Sequence, residues 1–329
     1  MRVLTWHVHG SYLYYLAHAP HDFYVPVKEG RPEGYGGRSG GFDWPPNLHE
    51  VPAGQVRDLQ FDCVLFQSKR NYLVDQHEIL SDGQRRLPRI YLEHDPPREH
   101  PTDTRHVVDD AAVLLVHVTS FNELMWDAGH TPTRVIEHGV VVPEGLAYRG
   151  DLARGLVVVN GLATRGRRLG LDVFERARRE VPLDLAGMGS EALGGLGEVG
   201  HDDLPRLEIG YRFFFNPIRY TSLGLAVCEA MMLGLPIVGL ATTEMSIVVE
   251  NGVSGFVDTS PGRLAARMRD LLDDHALACR LGEGARRAAR ERFDIRRFAR
   301  DWDAAIREVA GRRTAGVPEA LPAVTGGTV

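Results

Sequence analysis

Short apolar runs recur along the chain, with stretches of helical spacing between them. Residues 3–8 form the first run, which ends in His9-Gly10-Ser11, and residues 12–18 follow with helical spacing. Residues 61–66, 89–92, 111–118 and 134–137 are further strand-like runs, and 71–80 and 122–128 are the helix candidates between them. Short runs bounded by turn residues predict strands, while apolar positions three and four apart predict helices. Residues 28–52 break the alternation. They are dense in Gly and Pro and predict a long loop, and a loop of that length inside a compact domain is usually functional or mobile.

The alternation then restarts. Residues 155–160, Leu183–Ala186, 213–215, Ile237–Leu240 and 255–257 read as strands. Helices are expected over 171–180, after Gly224, over 246–250, and over 263–272, 275–291 and 295–310. Two successive blocks of alternating strand and helix predict an α/β protein with two doubly wound, Rossmann-like domains facing across a cleft. The first is expected over 1–143 and the second over 154–294, with the boundary between Pro143 and Arg154. Residues 312–329 are mostly Gly, Pro, Ala and Thr and predict a disordered tail.

Composition narrows the function class. The 329 residues carry 38 basic and 44 acidic side chains, a net charge of -6, which speaks against a nucleic-acid binder. Three widely spaced cysteines, Cys63, Cys228 and Cys279, offer neither a disulfide framework nor a C-x-x-C metal site. The N-terminus lacks a signal-peptide apolar stretch, and no apolar run approaches the ~20 residues of a membrane span. The expectation is a cytoplasmic protein, with peripheral contact to a membrane surface left open.

The chemistry concentrates between residues 213 and 240. A strand runs into a polar turn, Gly224 follows, and a helix carries one carboxylate, Glu229, before Gly234 and Pro236 end it. Free N–H groups and the dipole at a helix start favour phosphate. A carboxylate close by can accept two hydrogen bonds from a ribose diol. The residues alone leave open whether Glu229 does this or only complements the dipole.

The stretch TSLGLAVCEAMMLGLPIVG resembles the signature of the retaining, GT-B-fold group 1 glycosyltransferases. VVVNGLATRGRRLGLDVFERA is similar to the first strand and basic turn of the family's donor domain, and LDLAGMGSE to its Gly-x-Gly strand end. TTEMSIVVENGVSGFVDT is similar to its Glu-containing turn and Asn-Gly hairpin. RVIEHGVVV sits where the family has Asn-Gly-Val, with His138 in place of Asn. The likeness covers residues 155–295 closely and the first half in outline. It implies that Glu229 binds the donor ribose, that backbone N–H groups of Ser222, Leu223, Gly224 and Leu225 face the diphosphate, and that Glu244 lines the donor site. Of the basic turn, Arg165 and Arg168 are taken as the diphosphate cations, the alternative being a solvated basic loop. Gly10 lies where the family has its Gly-rich loop. His94 corresponds to a His that reaches the donor sugar, with Asp95 beside it to orient the ring or help bind an acceptor. The resemblance also implies a last helix, 295–310, that packs back on the first domain through Phe298, Trp302 and Ile306.

One position departs from the pattern. The family's first Glu falls at 221, where this chain has Thr221. Thr has one hydroxyl and no charge, which counts against double displacement and feeds a second reading: a GT-B nucleotide-sugar-binding protein or partner subunit that transfers nothing. Arg219 has no family counterpart and is expected either to serve an acidic donor group or to pair with Asp202 or Asp203. A dinucleotide dehydrogenase is the weaker third reading, because no G-x-G-x-x-G follows either first strand.

No cofactor is expected, the nucleotide diphosphate-sugar being a co-substrate. No metal is expected either: His7 and His9 lack a third ligand, and Asp301 and Asp303 are two apart on a helix, where they do not share a face. The acceptor, whether glycan, lipid or small molecule, stays open, with Tyr35, Phe42 and Trp44 of the long loop as candidates to stack on it.

Overall fold

The computed structural model describes residues 1–312. Past Arg312, the expected tail over 312–329 lies outside the described residues. The first sheet contains β1 (Arg2–Thr5), β2 (Asp22–Val27), β3 (Leu48–Pro52), β4 (Cys63–Phe66), β5 (Arg89–Glu93), β6 (Val113–His117) and β7 (Thr133–Val135). Their order is β3-β2-β1-β4-β5-β6-β7, and every pairing is parallel. The second sheet contains β8 (Leu152–Val158), β9 (Leu183–Ala186), β10 (Tyr211–Asn216), β11 (Ile237–Leu240) and β12 (Gly255–Asp258), in the all-parallel order β12-β11-β10-β8-β9. Parallel sheets are covered by helices on both faces, so their strands are continuously apolar. Every residue of β4, β6, β10 and β11 is buried.

The long loop expected over 28–52 is shorter than that, because its last five residues are β3. β2, which no strand signal marked, pairs with β1 from Asp22 to Tyr24 and with β3 from Phe23 to Val27. Pro26 has no N–H to donate, and it lies beyond the last β1 partner, so the strand tolerates it. The helix expected over 71–80 is a π-turn at Asn71–Asp75 continued by one α turn at Gln76–Ile79.

Helix Ile295–Arg312 packs against helix Gly10–Leu16 and the first sheet. Phe298, Trp302 and Ile306 are all fully buried, and the Trp302 indole N–H donates to the Tyr12 hydroxyl at 3.2 Å. Gly139 makes room for this packing: a Cβ there would lie 2.3 Å from Phe298 Cβ. Asp301 and Asp303 form i,i+4 pairs with Arg297 and Arg307 on the same helix. One continuous apolar cluster joins Val3, Leu65 and Ile90 of the first sheet to Trp302 and to Phe214, Val227 and Met231 of the second domain. Among the described residues, no helix is long and apolar enough to cross a membrane.

Candidate active site

The second sheet changes direction between β8 and β10, with β9 on one side of β8 and β10 to β12 on the other. In open α/β sheets the crevice outside the carboxyl ends of the strands at such a point is where ligands bind. A cavity of about 380 Å³ lies there. Val159 and Asn160 beyond β8, Ala186 and Gly187 at the end of β9, and Ile218 beyond β10 form its floor. Asn160 Oδ1 accepts from the Met188 N–H at 2.9 Å and ties two of these strand ends together. Gly187 has φ +125, and a Cβ would meet the Val159 carbonyl at 2.7 Å, so only glycine fits the turn.

Glu229 lines this cavity, one turn into helix Leu225–Leu233. The helix start has no side-chain cap, and the space beside its N-cap Gly224 is open. The Val227 N–H already donates to the Gly224 carbonyl at 3.0 Å, which leaves the N–H groups of Leu225 and Ala226 for an anion. Glu229 Oε1 accepts a 2.6 Å hydrogen bond from the hydroxyl of Tyr15, which belongs to helix Gly10–Leu16 of the first domain. Burial raises the Glu229 pKa, and the Tyr15 hydrogen bond opposes that rise. Behind it lies Glu208, fully buried and with neither carboxyl oxygen partnered. Burial first, and the charge of Glu229 second, push its pKa well above the usual carboxylate range.

Arg165 also lines the cavity. Neither Arg165 nor Arg168 has an acidic partner among the described residues, whereas Arg167 is paired with Asp172 at 2.7 Å. Burial lowers the pKa of both arginines, and the neighbouring charge of Arg165 adds to the effect at Arg168. The basic turn is pinned to the polar turn after β10. The Arg168 carbonyl accepts from the N–H groups of Arg219 and Tyr220 at 3.1 and 3.2 Å. Gly170, at φ +82, lets the two turns touch, since a Cβ would lie 1.9 Å from the Pro217 carbonyl.

Several expected site residues sit elsewhere. Glu244 does not line the cavity. It is 1% exposed, bound to Arg292 at 2.8 Å and to the Phe121 N–H at 3.1 Å, because a carboxylate buried that deeply needs a cation and donors around it. Arg219 pairs with Asp172 at 2.5 Å, not with Asp202 or Asp203, since its own turn lies against the basic one. Ser222 and Leu223 are buried, and the Leu223 carbonyl accepts from His138 Nε2 at 2.9 Å, which fastens the turn to the linker. Thr221, Gly224 and Leu225 do line the cavity. Gly10 does not, but its neighbour Ser11 does.

His94 is partly buried on the first domain, edge-on to His9 (4.4 Å) and Tyr12 (4.8 Å), and is not among the cavity walls. Burial, with His9 and His138 nearby, holds its pKa well below 6.5, so the ring is neutral. The Gln67 amide nitrogen is committed to Thr5 and Trp6 at 2.9 and 2.8 Å, which turns its oxygen to His94 Nε2 at 3.2 Å. Nε2 therefore carries the hydrogen and Nδ1 is an acceptor.

The sequence named Phe42 and Trp44 of an aromatic rim at the cavity but not its other members, Tyr14 and His201. Phe42 of the long loop stacks on Tyr14 (5.4 Å, 22°) and lies 4.9 Å from the His201 ring of the second domain. Phe42 and His201 both line the cavity. Phe42 was among the acceptor candidates, but His201 falls in a Gly-rich stretch without periodic signal. Tyr35, by contrast, is 1% exposed with Lys28 Nζ over its ring at 3.9 Å, so it anchors the loop.

Residues 167–274 match the family model for glycosyl transferases group 1. No curated protein sequence matches the chain. Solved structures resemble it over nearly its whole length at low identity. Sucrose-phosphate synthase from Thermosynechococcus elongatus superposes with TM-score 0.71 and 15% identity, covering 95% of this chain and all (100%) of that one. HepE of Anabaena in complex with UDP gives TM-score 0.65 and 15% identity over 94% of this chain and 100% of its own. AviGT4, a glycosyltransferase involved in avilamycin A biosynthesis, gives 0.62 and 16% over 95% and 98%. At such identities these likenesses establish the fold. They give the chain a GT-B fold, in which residues 167–274 of the cavity-bearing half match the group 1 glycosyl transferase family model.

Proposed function

We propose that the protein transfers a sugar from a nucleoside diphosphate sugar to an acceptor hydroxyl, with retention at the anomeric carbon. One observation carries the donor half of this reading. A single cavity gathers an uncapped helix start, an unpaired Arg165 and the carboxylate of Glu229. Glu229 takes the ribose hydroxyls. The helix N–H groups, Arg165 and Arg168 take the diphosphate and stabilise its charge as it departs. The bond from the anomeric carbon to the diphosphate breaks, a bond to the acceptor oxygen forms, and the acceptor's proton leaves with the diphosphate. HepE is described in complex with UDP-glucose, which makes that compound the first donor to try.

The test is a thermal-shift screen of UDP, GDP, ADP and dTDP with their hexose derivatives, followed by a donor-consumption assay. Wild type should be stabilised by one nucleotide family, and Glu229→Ala should lose that response. Consumption of the sugar nucleotide by wild type then supports transfer. A stabilised protein that consumes no donor with any acceptor is the non-catalytic binder, the reading that the neutral Thr221 favours. No stabilisation by any nucleotide sinks both.

A further inference from the structure

The donor's parts must follow one another along the site. Ribose lies at Glu229, the diphosphate at the helix start and the two arginines, and the transferred sugar beyond them. Thr221 lines the cavity in that direction and supplies only a neutral hydroxyl. Its Oγ1 is 3.5 Å from Asp95 Oδ1 of the first domain.

Asp95 is held in place from several sides. It follows β5 in the turn 94–98, and its N–H donates to Glu93 Oε1 at 2.9 Å. Its carbonyl accepts from the Trp126 indole N–H at 2.8 Å. The same turn docks on the second domain, where the Tyr220 hydroxyl donates to the Pro97 carbonyl at 2.9 Å. Oδ2 is bound by Arg98, which leaves Oδ1 facing Thr221. The carboxylate is not sealed off, its side chain being 24% exposed. Its charge also acts on both Arg165 and Arg168. These two cations have no ion-pair partner among the described residues, and the Asp95 carboxylate of the opposite domain is near enough for its charge to act on both.

We propose that Asp95 is a donor-sugar-binding residue, supplying from the first domain a hydroxyl-accepting carboxylate beside the neutral Thr221. This rests on the transferase reading above. Diphosphate binding neutralises Arg165 and Arg168, and Asp95 Oδ1 then accepts from hydroxyls of the sugar. Thr221, which does line the cavity, donates to that oxygen at 3.5 Å, so Asp95 stands just behind the cavity wall. The sugar is gripped by the domain that also presents the acceptor, so its orientation is set across the cleft.

The test compares, by calorimetry, each diphosphate with its own sugar derivative: UDP with UDP-glucose, GDP with GDP-mannose, ADP with ADP-glucose and dTDP with dTDP-glucose. In wild type the sugar should add affinity. Asp95→Asn should leave diphosphate affinity within about twofold and weaken the sugar nucleotide about tenfold, the usual scale for a charge-assisted hydrogen bond. Thr221→Glu alone should also weaken the sugar nucleotide, because it sets two carboxylates against each other. The double variant Asp95→Asn/Thr221→Glu should recover affinity, as the carboxylate is then supplied from the other side. The proposal is overturned by an Asp95→Asn protein that keeps the full sugar increment, by equal loss of both ligands, or by a double variant no better than the singles. A wild type that binds no diphosphate overturns the transferase reading itself and this proposal with it.

Discussion

Glu229 is shared between two claims on its oxygens. One is the expected ribose, and the other is the Tyr15 hydroxyl, which already donates to Oε1. Tyr15 keeps the carboxylate oriented and offsets the upward pull of burial on its pKa. Tyr15→Phe should therefore weaken nucleotide binding by roughly three- to tenfold. It should also move the acid limb of binding to higher pH, because Glu229 then protonates more readily. Calorimetric titrations at several pH values read both effects, and an unshifted limb would mean that Tyr15 does not govern the charge. The sequence pointed to Thr221, Gly224 and Glu229 because they sit in one local motif, and to Arg165 because it sits in a second, the basic turn after β8. Tyr15 was not legible, since 214 residues separate it from its partner. Glu244 was misread for a related reason. A motif shows that a turn holds a carboxylate, but the side it faces is decided by Arg292 and the Phe121 N–H, which are distant in sequence.

At the level of elements, the apolar runs located most strands because strands buried on both faces are continuous in sequence, as in β4, β6 and β11. β2 and β3 escaped because each holds a proline, Pro26 and Pro52, and neither is a continuous apolar run or a regular alternation. Their pairing is set by neighbouring strands, which a local pattern does not contain. The last helix was legible from Phe298, Trp302 and Ile306, but the notch that receives it was not. Gly139 provides that notch, and Gly139→Ala would place Cβ 2.3 Å from Phe298 Cβ. The expected cost is about 1–3 kcal/mol of stability from overpacking. Urea denaturation should show it as a lower midpoint, and an unchanged midpoint would mean that the helix shifts to make room.

Across the whole molecule, the two domains are stitched by polar contacts at several heights. Tyr15 meets Glu229, Tyr220 meets Pro97, and His138 meets the Leu223 carbonyl. Arg292 binds both Glu137 and Glu244. The histidine stitch makes the structure sensitive to acid. Burial lowers the His138 pKa from 6.5 to about 4. As pH falls below 6.5 the unfolded chain takes up a proton that the folded chain refuses until about 4, so stability is complete above 6.5 and declines through that window. His94 and His117, also lowered by burial, add to the decline. His138→Gln should make the fall in urea midpoint between pH 6.5 and 4 shallower, and an unchanged slope would assign the acid sensitivity to other groups.

The hydroxyl of Tyr15 on Glu229 has a thermodynamic corollary. If nucleotide binds better when this contact is made, then by linkage the bound nucleotide tightens the contact by the same factor. Occupancy of the second domain becomes a measure of how firmly the first is held against it. Any perturbation that pries the domains apart, even at the far end of the last helix, is then expected to weaken nucleotide binding without touching a residue that binds it.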